Sequence, residues 1–194
     1  MDNLLGGTGA VNRIYGVVSA IVTDNKDPEG LYRVKVKFPW VRESDSQYTN
    51  AADEEDFPSN WARIATFMAG KERGAFFLPE VDDEVLVAFE HGDVRRPIVI
   101  GSLWNSVDTV IHDNLGQDGK NDFRLISSRS GNLLWFGDKE GESRIVMQTG
   151  WKLGDEPPTG HWITIDAKDG SEKIEISDKD AKNSILIDIA NKHI

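Results

Sequence analysis

The chain has 194 residues with 22 Lys+Arg against 33 Asp+Glu, a net charge of −11, a hydrophobic share of 39% and no cysteine. The acidity disfavours a nucleic-acid partner, because phosphate binding needs a basic surface, and the lack of cysteine excludes a disulfide framework and thiolate chemistry. No stretch approaches the roughly 20 apolar residues of a membrane helix, and the start, MDNLLGGTGAVNR, lacks the charged beginning and apolar run of a signal peptide, so synthesis in the cytoplasm is expected.

Residues 1–12, with three glycines, read as a flexible arm. From Arg13 to Asn105 the chain reads as strands with turn punctuation. Ile14 to Thr23 is a β-branched run closed by the turn-rich Asp24 to Gly30, and Leu31 to Val41 alternates Tyr32, Val34, Val36 and Phe38 against Arg33, Lys35 and Lys37. Arg42 to Asn60 is acidic and polar and reads as an exposed loop, and Trp61 to Phe67, Glu84 to Glu90 and Pro97 to Leu103 supply three further strands. Five strands without a long amphipathic helix suit a small closed barrel, with Trp61 and Trp104 packing it. Most of the acidity lies here: residues 1–122 carry 12 Lys+Arg against 21 Asp+Glu. Residues 106–122 read as a linker.

Over 123–194 apolar doublets at i and i+2 recur every eleven residues: Phe123/Leu125, Leu134/Phe136, Ile145/Met147, then, after a seven-residue insertion placed at Trp151 to Gly160, Ile163/Ile165, Ile174/Ile176 and Ile185/Ile187. The i, i+2 pairing means strand, because alternate strand side chains share a face, and the Gly, Asp and Lys between doublets favour turns. A lone chain with one apolar stripe has nothing to cover it, and further copies of itself on a cyclic axis are the simplest cover. An evenly spaced β-meander is the plainer alternative. Trp135 falls out of phase with its neighbours Leu134 and Phe136, facing the insertion or a neighbouring chain.

The stretch Gly70 to Asn105 (GKERGAFFLPEVDDEVLVAFEHGDVRRPIVIGSLWN) resembles the barrel domain of the phage baseplate assembly protein V and VgrG spike family. The match lies in the turn at Gly74, Phe77 to Val81, Val85 to Phe89, Glu90 to Asp93 and Gly101 to Asn105; Gly16 to Val36 and Arg129 to Gly131 also fit. The acidic turn has Asp82 where that family commonly has Gly. The resemblance implies an all-β protein: a five-stranded OB-fold barrel followed by an intertwined triple-stranded β-helix in a homotrimer, with the twelve doublet residues as trimer core. It further implies the central spike of a contractile tail or injection particle. A separate hub or baseplate protein would hold the barrel end, a PAAR-type protein would cap the tip at Ile189, His193 and Ile194, and the target membrane would be met on penetration.

No catalytic constellation is visible. Asp82–Glu84 and Asp53–Asp56 read as solvated turns, Asp24, Asp27 and Glu29 lack the 1-3-5 spacing of a calcium loop, and His91, His112, His161 and His193 never pair at metal-ligand spacing. Some resembling spikes end in an axial His-x-His iron site; this chain ends Asn191-Lys192-His193-Ile194, so three His193 side chains on an axis would be the sole metal candidate, and a frayed terminus is the preferred reading. The expectation is therefore a mechanical protein, neither enzyme nor cofactor carrier. The alternative is an OB-fold module that binds oligosaccharide on a trimerising stalk.

Overall fold

The structure, a computed structural model, describes residues 13–40, 59–111, 119–152 and 159–193. The chain divides into two units, Met1–Thr109 and Val110–Ile194. The expected arm, residues 1–12, lies outside the described residues.

In the first unit β1 (Val17–Asp24), β2 (Arg33–Lys37), β3 (Ala62–Ile64), β6 (Glu84–Phe89) and β7 (Pro97–Ser102) close a barrel in the order β1-β2-β3-β7-β6. Neighbours are antiparallel except β3 and β7, which run parallel, and β6 closes the ring on β1. This is a closed five-stranded barrel of the kind an OB fold makes. Two short strands, β4 (Ala69–Gly70) and β5 (Arg73–Gly74), form a hairpin apart from it.

The alternation read from the sequence is the alternation of the barrel wall. Val34, Val36 and Phe38 point inward with Val22, Val85, Val87 and Val99, while Arg33, Lys35 and Lys37 stay half-buried on the other face. Each fully buried valine contributes roughly 1.5–3 kcal/mol as an upper figure. The tryptophans depart from expectation. Trp61 is half-buried beneath the cations of Arg33 and Lys35, 5.9 and 5.3 Å from its ring centroid, and Trp104 is 63% exposed. An indole suits that outer position because its face attracts cations. Of the loop expected over 42–60, residues 42–58 lie outside the described residues; of the last two, Asn60 is exposed as read and Ser59 is not. Ser59 is buried, its N–H donating to the Val36 carbonyl at 2.9 Å and its hydroxyl accepting the Val36 N–H at 3.0 Å. Asp82 holds φ 77°, the left-handed region that glycine adopts without strain.

The second unit is a six-stranded sheet of β8 (Phe123–Ser127), β9 (Leu133–Gly137), β10 (Arg144–Gln148), β11 (Trp162–Asp166), β12 (Lys173–Ser177) and β13 (Ser184–Asp188). The strands pair antiparallel in chain order. Within the chain this is an evenly spaced meander, in which each interior ladder closes and, among the described strands, the outer edges of β8 and β13 are left. The turns explain the polar spacers. Asp178 accepts the N–H groups of Asp180, Lys182 and Asn183 and the side-chain amide of Asn183, which donates at 2.6 Å. That amide, chiefly, holds the Asp178 carboxyl below its ordinary range.

Candidate assembly face

Residues directly opposite in an antiparallel pair share a face. Leu134 stands opposite Met147 and Phe136 opposite Ile145; Ile145 and Met147 oppose Ile165 and Ile163; these oppose Ile174 and Ile176; and these oppose Ile187 and Ile185. Ten apolar side chains from five strands thus stand in register on one face. They are not covered. Met147 is 53% exposed and Ile185 61%, and Ile145, Ile163, Ile165 and Ile176 are also exposed, with Leu134, Phe136, Ile174 and Ile187 half-buried. A contiguous open apolar face of this kind marks an interaction surface.

Phe123 and Leu125 do not belong to it. They stand opposite Gly137 and Trp135, on the other side of the sheet, where they pack on the buried cluster of Leu133, Trp135, Val146 and Trp151; the rings of Phe123 and Trp135 stack with centroids 5.6 Å apart. On β8 the open face is held by Arg124, opposite Phe136, and Ile126, opposite Leu134. Sequence reasoning missed Ile126 because it followed the eleven-residue phase one strand too far.

The second side of the sheet also carries a charged row. Arg144, Asp166, Lys173 and Asp188 stand opposite one another in turn, alternating in sign. Arg144 meets Asp166 at 2.9 Å, and Asp166 is buried. Trp151, the first residue of the insertion, is buried on this side, so the start of the insertion belongs to the packed side of the sheet. Thr159 ties its far end to the Gln148 side chain at 3.1 Å, and residues 153–158 lie outside the described residues.

At the end of the sheet, Asp188 and His193 exchange backbone hydrogen bonds of 2.8 and 3.0 Å, and Asp188 accepts both the N–H and the side-chain amide of Asn191. The amide of Asn191 is the main reason the Asp188 carboxyl is held below its ordinary range. The terminus is therefore a closed turn as far as His193, which contradicts the frayed reading. Ile189 and His193 are exposed on that turn, and Ile194 lies outside the described residues. Among the described residues no group of three or more His, Asp or Glu stands where it could hold a metal ion, and no helix is long and apolar enough to cross a membrane.

An OB-type barrel followed by a sheet with one open apolar face defines the class. Residues 18–104 match the type VI secretion system/phage-baseplate injector OB domain, in keeping with the closed five-stranded barrel. The chain is similar to the spike proteins VgrG1c and VgrG4b of Pseudomonas aeruginosa, 28% identical over 141 residues and 30% over 142, covering 69% and 70% of this chain. It is also similar to the spike protein VgrG3 of Vibrio cholerae, 31% identical over 117 residues or 59% of this chain. The resemblance to VgrG-type spikes read from Gly70 to Asn105 is thus shown. The chain spans less than a fifth of these relatives' length, the aligned parts being 18%, 17% and 11% of each.

Proposed function

We propose that this chain is the central spike of a contractile, tail-like injection particle and acts mechanically, with no catalytic step of its own. The observation that carries the reading is the register of the ten apolar side chains on the open face of β9–β13. Three copies bring these faces together around one axis as a β-helical prism, each chain supplying closed ladders and its sisters supplying the cover. Completing the burial of ten side chains at about 1 kcal/mol each stabilises the assembly by roughly 10 kcal/mol per chain. Rigidity follows from the same packing, because bending the shaft must open many contacts together. In this reading the barrel end docks on a hub or baseplate protein and the turn bearing Ile189 and His193 receives a PAAR-type tip. Contraction of the particle then drives the shaft through the target membrane.

Light scattering on the purified chain tests it. A particle of three times the 21.6 kDa chain mass is expected at micromolar concentration, and a monomer there overturns the reading.

A further inference from the structure

A groove on the barrel is lined unlike the rest of the chain. β7 runs on past the end of β3, whose last ladder partner is Ile64 opposite Val99, so Gly101 and Ser102 lie beyond the ladder. There they line a shallow groove of about 230 Å³ together with Tyr32, from the β1–β2 connection, and Thr66, Phe67 and Phe77, from the β3–β6 connection. None of the described residues that line it carries a charge, in a chain of which 28% is Asp, Glu, Lys or Arg. Its hydrogen-bonding capacity is that of hydroxyls. The Tyr32 hydroxyl accepts the Phe77 N–H at 2.9 Å and keeps its own proton to donate, Thr66 donates to the Ala75 carbonyl at 3.0 Å and keeps lone pairs to accept, and Ser102 is exposed.

Tyr32 is also held against its own preference. Its φ is 60°, in the left-handed region that a bulky side chain rarely enters, and such strained placements cluster at binding sites. The Phe77 hydrogen bond and the packing of its ring on Phe76, centroids 4.8 Å apart, fix it there. These features select a ligand. A charged molecule finds no counter-charge in the lining, a purely apolar one leaves the hydroxyls unused, and a drug-sized one needs a pocket of about 300 Å³ or more. A neutral sugar ring meets all three conditions. It is small, it sets an apolar C–H face against an aromatic ring, and it turns hydroxyls outward to donors and acceptors.

We propose that this groove binds one neutral sugar residue of a polysaccharide, Phe67 and Phe77 giving the flat apolar contact and Tyr32, Thr66 and Ser102 the hydrogen bonds. The site lies within the barrel unit and uses none of the sheet residues on which the proposed assembly rests, so the two readings fail separately.

Calorimetric titration of the purified full-length chain with maltohexaose, cellohexaose and chitohexaose decides it. At least one should bind at sugar concentrations up to about 10 mM, the weak range that a shallow groove allows. Two variants locate the binding. A Cβ on Gly101 would meet nothing within 4 Å and its φ lies outside the left-handed region, so Gly101→Leu should fold normally while it obstructs the groove. Phe67 is 85% exposed, so Phe67→Ala leaves the barrel core untouched. Each should weaken binding about tenfold or more, with the thermal midpoint and the oligomer mass unchanged. Binding by none of the three sugars overturns the proposal, and so does binding that survives both variants. A proline-rich decapeptide that binds where the sugars do not, and is lost in both variants, makes the groove a peptide site and overturns it as well. A chain that is monomeric by light scattering yet binds sugar overturns the trimer and leaves the groove standing.

Discussion

The N–H of Trp151 donates to the carbonyl of Gly131 at 3.0 Å, and a Cβ added to Gly131 would stand 2.3 Å from the Trp151 carbonyl oxygen. Gly131 has φ +78°, so the close approach and the left-handed backbone both require glycine. This contact fixes the start of the insertion against the β8–β9 turn and delivers the Trp151 indole to the cluster of Leu133, Trp135 and Val146. Gly131→Ala should therefore destabilise the sheet by about 2 kcal/mol or more, since strain and overpacking act together. Trp151→Ala should cost about 3–5 kcal/mol. Urea unfolding followed by tryptophan fluorescence checks both. Unchanged midpoints would mean that the cluster does not stabilise the sheet.

Faces of the sheet are separable by substitution. Ile174→Asp with Ile176→Asp places six carboxylates on the proposed axis of a trimer with no partners, and buried unpaired charge is strongly unfavourable, so the double variant should be monomeric by light scattering. A normal trimer from it would remove this face from the interface.

The two sides of β8 should respond differently. Ile126→Asp falls on the assembly face, opposite Leu134, and should weaken association while leaving the monomer fold in place. Leu125→Asp falls opposite Trp135 and should unfold the sheet by charging its packed side. Comparing oligomer mass with circular dichroism for the pair separates these outcomes, and the reverse pattern would restore the uninterrupted eleven-residue phase.

That phase was legible for a physical reason and failed for another. The turns 138–143, 167–172 and 178–183 each separate strands whose closing residues are seven apart, as Gly137 and Arg144 are, and an odd step of eleven then lands on the same face. The β8–β9 turn is one residue shorter, with Ser127 opposite Leu133, and a one-residue change sends every side chain to the other face. Nothing in the doublets themselves signals this; the signal lay in Ser128 to Gly131, where a tight turn closed on a left-handed glycine could have been counted. The barrel was easier to read, because Val34 and Val36 alternate cleanly with Arg33, Lys35 and Lys37. Trp61 and Trp104 misled because size and hydrophobicity do not say which face of the wall an indole takes. Only the structure shows that Phe67 and Phe76, on either side of the β4–β5 hairpin, stay largely exposed.

Acid should loosen the β1–β2 connection. Asp27 accepts the Arg33 guanidinium at 2.7 and 2.8 Å and the N–H groups of Glu29 and Leu31, and the Arg33 hydrogen bond above all holds its carboxyl far below the usual range. Asp93 is held at about 2 in the same manner, chiefly by the Arg95 side chain. For a depressed carboxyl the stabilisation is present above the unfolded-state value near 4 and is lost as pH falls toward the folded value. Asp27→Asn should therefore lower the urea midpoint at pH 7 and shrink the difference between pH 7 and pH 3. Emission of Trp61, which lies under Arg33, reports the local event. An equally steep acid dependence in the variant would show that this pair does not contribute it.

Polar groups on the packed side of the sheet give the last prediction. The Thr164 hydroxyl is buried and has no hydrogen-bond partner among the described residues, and across the strand pair it stands opposite Val146, which is fully buried. A buried hydroxyl without a partner carries its desolvation penalty uncompensated, about 1–3 kcal/mol. Thr164→Val keeps the β-branched shape and removes the penalty, so the variant should be more stable by about 1 kcal/mol, read as a higher urea midpoint with an unchanged slope. The gain should appear equally in the Ile174→Asp/Ile176→Asp monomer if that monomer keeps the packed side of its sheet, because Thr164 faces away from the doublets. A loss of stability in both backgrounds would mean that the hydroxyl is satisfied in solution, and a loss confined to the assembled form would place Thr164 at a contact between copies.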